Sequence, residues 1–143
     1  MQRFVSFLVL LTVLAPLLAA TGCAADSSHD LKMAPMNMLP AKMQSAPTRV
    51  REAYQFAIAN PDALKNVPCY CGCGANGHTS NYSCYVKQSK GDGTYIFDEH
   101  ALGCSVCVDI TQDVMRYSRA GKSPGDIHAA IVSTYSQFGP ANQ

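Results

Sequence analysis

Residues 98–121 read DEHALGCSVCVDITQDVMRYSRAG, and their periodicity sets the fold class. Cys104, Cys107, Val108, Thr111, Val114 and Met115 recur at three- and four-residue spacing, which on a 3.6-residue repeat aligns them along one face. Asp98 is suited to cap a helix from about Glu99 to Ala120, and Gly121 to close it. Gly103 weakens helix formation near the first cysteine. His100, Cys104 and Cys107 lie at i, i+4 and i+7, so an imidazole and two thiols are expected to share a face.

C-terminal to this stretch, Ser123-Pro124 with Asp126 has the pattern of a capping box with proline at the first helical position. The helix it opens is expected to bury Ile127, Ala130, Ile131, Thr134, Tyr135 and Phe138 before Gly139-Pro140 ends it. N-terminal to it, Thr79 or Ser80 is expected to cap a short helix through about Gln88, with Cys84 facing inward. SKGDGT then makes a turn, and strand is limited to a brief TYIF segment. Residues 68–77 hold three glycines and three cysteines and read as a tight wrapping loop. Further back, Val50, Ala53, Tyr54, Ala57 and Ile58 mark a helix from Thr48, and Pro61 opens another short turn. The expected fold is mainly α: a small helical domain over 48–139, with a Cys/Gly-rich loop packed on two C-terminal helices.

The first 22 residues have a basic start, a long apolar run and small residues before Cys23, the layout of a lipoprotein signal peptide. Cys23 in ATGC is the expected lipidation site, which places the chain outside the cytoplasm, anchored to a bacterial membrane. Residues 23–47, rich in Ser, Ala, Pro and Met, read as a flexible stalk. Eleven basic and ten acidic residues nearly cancel, and no basic stripe is present, so a nucleic-acid partner has no support. Tryptophan is absent, and a modest core of this kind calls for crosslinks or a metal. No ordering of Ser, His and Asp, no phosphate loop and no carboxylate pair suggests hydrolytic catalysis, so a non-enzymatic role is expected.

With Cys23 assigned to lipid, six cysteines remain: Cys69, Cys71, Cys73, Cys84, Cys104 and Cys107. Their chemistry admits three readings. Three disulfides would make a structural or interaction module, as befits an oxidising compartment, although cysteines two apart in C-Y-C-G-C rarely pair with each other without strain. C-S-V-C near a helix start has the spacing of a dithiol exchange protein, but the βαβ pattern of thioredoxin-like chains is missing. Clustered thiolates select soft metals, Cu(I) or zinc, over calcium or magnesium. His100 and His78 are candidate additional ligands. Met33, Met36 and Met38 add thioethers suited to Cu(I), and they tilt the choice toward copper over zinc. The partner expected for such a protein is an extracytoplasmic metal acceptor or redox protein.

P-C-Y-C-G-C at 68–73 resembles the bacterial family named for its PCYCGC motif, largely small lipoproteins without an established activity. The likeness continues through Gly77-His78, Cys84, FDEHA, C-S-V-C and GKSP, over about Ala46 to Phe138, with the Met-rich stalk outside it. The resemblance implies extracytoplasmic attachment and a shared cysteine framework. It supplies no reaction and no ligand set.

Overall fold

The computed structural model describes residues 29–143; the expected signal peptide and Cys23 lie outside them. Among the described residues there are six α-helices and one antiparallel strand pair: α1 (Ala41–Gln44), α2 (Thr48–Ala59), α3 (Pro61–Lys65), β1 (Val86–Ser89), β2 (Tyr95–Phe97), α4 (His100–Gly103), α5 (Ser105–Arg119) and α6 (Pro124–Tyr135). The mainly α class is as expected. No helix of the described residues is long and apolar enough to cross a membrane.

Helix α5 is central, packing against α2 on one side and α6 on the other. Its buried face carries Cys107, Val108, Ile110, Thr111, Val114 and Met115. Opposite it, α2 buries Ala53, Tyr54, Ala57 and Ile58 together with Phe56, while Val50 is only half-buried. Gly121, at φ +68°, ends α5 in a Schellman motif: its N–H bonds the Ser118 carbonyl and that of Lys122 bonds the Tyr117 carbonyl. The left-handed conformation is the reason for glycine at that position. Ser123 caps α6 by accepting the Asp126 N–H at 3.2 Å.

The expected helix over 99–120 is broken. α4 stops at Gly103, Cys104 is extended at φ −116° and ψ 102°, and α5 starts at Ser105. The N-cap of α4 is Glu99 rather than the expected Asp98, although Asp98 Oδ1, one residue earlier, accepts the His100 N–H at 2.7 Å. A glycine costs about 1 kcal/mol relative to alanine inside a helix, which lowers the cost of a break there.

Two further expectations are corrected. No helix runs from Thr79 to Gln88. Residues 82–84 make one 3-10 turn, and the chain then forms β1, which pairs with β2 in the register Val86↔Phe97, Gln88↔Ile96 and Ser89↔Tyr95. Asn, Tyr, Ser, Cys and Val are all weak helix formers, and Gly91 and Gly93, at φ +81° and +86°, make the reversal that pairs the strands. At the other end, α6 buries Ile127, Ile131 and Tyr135, but Ala130 is half-buried, Thr134 is exposed and Phe138 is 61% exposed. The α-helix ends at Tyr135, so Phe138 sits on a 3-10 turn and leaves the apolar stripe.

The segment expected to be a free stalk is, over its described part, a packed arm. Leu39 and Met43 are each 2% exposed, and burying side chains of this size stabilises by about 1.5–3 kcal/mol apiece. Ala34 and Gln55 bond in both directions, and Asn60 Nδ2 donates to the Lys32 carbonyl at 2.7 Å. Proline and methionine richness suggested a linker, but Leu39 and Met43 lie four apart and supply the arm with its own anchors.

Candidate metal centre

Two backbone devices shape the cysteine loop. Gly72 and Gly77, at φ +79° and +80°, bracket a 3-10 turn over Cys73–Asn76. Both conformations are disfavoured for side-chain-bearing residues, and together they wrap the loop so that Cys69, Cys71 and Cys73 approach the N-terminal turn of α5. Cys84 arrives from the 3-10 turn before β1. A buried network holds the helix end in place: the Cys107 carbonyl accepts from Tyr85 Oη at 2.9 Å and Asn81 Nδ2 at 3.2 Å, while Thr111 Oγ1 donates to Asn81 Oδ1 at 2.7 Å. Tyr85 also packs edge-on against Tyr54, whose hydroxyl donates to the Asp98 carbonyl at 2.7 Å.

The loop and helix cysteines converge as expected. Cys107 Sγ lies 3.3 Å from Cys69, 3.5 Å from Cys71, 3.2 Å from Cys84 and 3.4 Å from Cys104. Cys73 meets Cys84 at 3.7 Å, and Cys69 meets Cys71 at 3.5 Å. All six are free thiols. These spacings are close to the edge of a metal–thiolate tetrahedron, about 3.8 Å for metal–sulfur bonds of roughly 2.3 Å. Cys69, Cys73, Cys84 and Cys107 are buried, and their sulfurs lie within 4.8 Å of one another. Cys71 and Cys104 are half-buried.

Both candidate histidines reach the cluster. His100 Nε2 is 3.4 Å from Cys71 Sγ, and one group of possible ligands comprises Cys71, Cys73, His100 and Cys107. His78 is buried, sits edge-on to His100 with ring centroids 5.0 Å apart, and belongs with Cys73, Cys84 and His100 to another group. Cys104 joins through Cys107 rather than through either histidine, because the extended backbone at Cys104 takes it off the helical face on which i, i+4, i+7 spacing had placed it. The remaining histidines stand apart: His29 is exposed, and His128 Nδ1 lies 2.7 Å from the Asn66 carbonyl.

The methionines belong to the arm. Met36 and Met38 are 37% and 38% exposed, Met38 lines a cleft with Gly93, Tyr95 and Phe97, and Met33 is half-buried against the core.

Electrostatically the six thiols are unequal. Hydrogen bonding from Cys107, seconded by Cys84, holds the Cys69 thiol far below its ordinary range. Cys104 is lowered to about 5, first by the Cys107 hydrogen bond. Hydrogen bonding with Cys104, Cys69 and Cys84 raises Cys107, and burial raises Cys71 and Cys73. A thiol has one proton, so Cys107 cannot satisfy its several sulfur neighbours at once. A cation at the centre would satisfy them together.

Sequence reasoning missed Asn142. Its backbone N–H donates to the Cys69 carbonyl at 3.0 Å, its Oδ1 accepts the Cys69 N–H at 2.7 Å, and its Nδ2 reaches Cys73 Sγ and the Ser80 carbonyl, each at 3.3 Å. An asparagine beyond Gly139-Pro140 carries no local signal of such a contact.

The chain belongs to the PCYCGC-motif family. Its model, described as a protein of unknown function with PCYCGC motif, matches residues 17–142. That span takes in the Met-rich arm and Asn142, which corrects the expectation that the arm lies outside the family domain. No curated protein and no solved structure matches the chain.

Proposed function

We propose that this chain is an extracytoplasmic, lipid-anchored protein that binds a soft metal, Cu(I) in preference to zinc, for sequestration or for delivery to an extracytoplasmic acceptor. The observation that carries the reading is the set of four buried thiols, Cys69, Cys73, Cys84 and Cys107, with sulfurs within 4.8 Å of one another. Soft thiolates favour Cu(I), zinc or iron–sulfur centres. An iron–sulfur cluster fits poorly with a leader of the kind used for unfolded export. The arm's Met33, Met36 and Met38 add thioether sulfurs that suit Cu(I) in an oxidising compartment, and attachment would be through lipid on Cys23.

The contact pattern argues against the disulfide module. Cys107 Sγ approaches Cys69, Cys71, Cys84 and Cys104 at 3.2–3.5 Å, and a disulfide would engage only one of the four, whereas pairs would be expected to stand apart from one another. Titrating the anaerobically reduced chain with Cu(I) against a competing chromogenic chelator tests the proposal. Competition in which the copper bound falls on Cys69→Ser and Cys84→Ser substitution is expected; no copper taken from even a weak chelator would refute it.

One observation favours a second reading, thiol–disulfide exchange: Cys104 sits at the N-terminal boundary of α5, is half-exposed, and has its thiol lowered to about 5 beside Cys107. Steady turnover of a mixed-disulfide substrate, abolished in Cys104→Ser, would replace the metal reading with this one.

A further inference from the structure

The possible ligand groups overlap. The all-sulfur set of Cys69, Cys73, Cys84 and Cys107 shares Cys73 and Cys84 with the set of Cys73, Cys84, His78 and His100. We infer that the centre is binuclear, with one ion in each of these sets and the thiolates of Cys73 and Cys84 bridging the two. This deepens the soft-metal reading and rests on it.

The histidine side supplies the independent observation. His78 is 8% exposed, yet its Nδ1 is buried without a hydrogen-bond partner. Unpartnered buried polar atoms are rare and point to a missing water or ion. The other ring nitrogen, Nε2, faces Asp98 Oδ2 at 3.4 Å, which favours the tautomer with its proton on Nε2 and a free lone pair on Nδ1. A carboxylate behind a histidine whose second nitrogen is open is the arrangement that orients metal-binding imidazoles. Asp98 serves both histidines, because its Oδ1 also accepts the His100 backbone N–H at 2.7 Å. Lys87 Nζ lies 3.8 Å from the same Oδ2 that faces His78.

A single ion among the four buried sulfurs would leave His78 Nδ1 orphaned. So would a second ion in the set of Cys71, Cys73, His100 and Cys107. Of the three sets, the one containing His78 offers that nitrogen a partner, and it has two sulfurs and two nitrogens, a tetrahedral combination suited to a soft or borderline ion. Cys71 and Cys104 then lie outside the two coordination spheres. They are the two half-exposed thiols, next to His100 and Cys107 respectively, and are placed to pass ions in and out by ligand exchange.

The test uses the full-length chain in detergent, reduced and loaded anaerobically with cadmium-113 as a spectroscopic stand-in. Two ions per chain and two resonances are expected, an all-sulfur one downfield of a mixed sulfur–nitrogen one. His78→Gln should bring the count from two to one and remove the upfield resonance alone; Asp98→Asn should shift that resonance and Asp98→Glu restore it. If His78→Gln binds nothing, Cys69→Ser decides, and it must disturb the downfield resonance while the upfield one persists. One ion in the wild type, both resonances unchanged in His78→Gln, or loss of both in Cys69→Ser would overturn the binuclear centre. A wild-type chain that binds no ion would overturn the soft-metal reading as well.

Discussion

Asn142 and Cys69 are paired in both directions, backbone N–H to carbonyl at 3.0 Å and side-chain oxygen to backbone N–H at 2.7 Å. This pairing straps residues 140–143 across the first cysteine of the motif. The side-chain amide continues to Cys73 Sγ and the Ser80 carbonyl, so one residue ties three points of the loop.

Asn142→Ala removes these side-chain bonds and leaves the Cys69 N–H without its acceptor. The expected loss is about 1–3 kcal/mol of stability, seen as a lower urea midpoint. Because the strap covers the loop, the buried thiols should also react faster with a disulfide reagent in the metal-free variant. An unchanged midpoint together with unchanged thiol kinetics would mean that the strap is incidental.

Gly72→Ala tests the loop backbone alone. A Cβ at Gly72 meets no atom within 4 Å, and the φ of +79° is the whole difficulty. Left-handed backbone costs a non-glycine residue roughly 1–2 kcal/mol. That much destabilisation is expected, with weaker metal binding as the loop relaxes and Cys71 and Cys73 move. Thermal melts of reduced and metal-loaded protein read both effects.

Cys104 should be the most reactive thiol of the reduced, metal-free chain. Its pKa is depressed to about 5, so the thiolate is present above that value and is lost as pH falls through it. Peptide mapping after limited iodoacetamide treatment should find Cys104 modified first, with a rate nearly flat from pH 6 to 8 and falling below about pH 5. Cys69, although also lowered, is fully buried and should lag. A rate for Cys104 that keeps rising through pH 8 would contradict this ordering.

Much of the fold is legible in the sequence because its signals are local. The helical period over Cys107 to Met115, the Ser123-Pro124 cap and Gly121 each carry their own reason, and each appears where expected. The cysteine convergence was legible for a different reason: thiols two apart on a glycine-rich loop need distant partners. What local signals could not reveal are choices settled by tertiary contact. Residues 86–97 become a hairpin because two weak segments pair with each other, and the Met-rich arm docks because Leu39 and Met43 find a core built by later residues. Asp98 was readable as a residue at a helix start, whereas its place behind His78 depends on a contact across twenty residues.

Tyr85→Phe probes the scaffold under the centre. The lost hydroxyl bonds the Cys107 carbonyl at 2.9 Å and Thr111 Oγ1 at 2.7 Å in a fully buried site. A loss of about 1–2 kcal/mol is expected, measured by chemical denaturation of reduced protein. Metal should restore part of it, since a ligand that binds only the folded chain stabilises it by mass action.

The most direct test of the central claim is metal analysis with copper K-edge X-ray absorption on the chain recovered anaerobically from the cells that make it. Bound copper with sulfur in its first coordination shell, and six thiols titratable once the copper is removed, is the predicted result. A metal-free chain whose six cysteines are all in disulfides, and which takes up no copper after reduction, would contradict it.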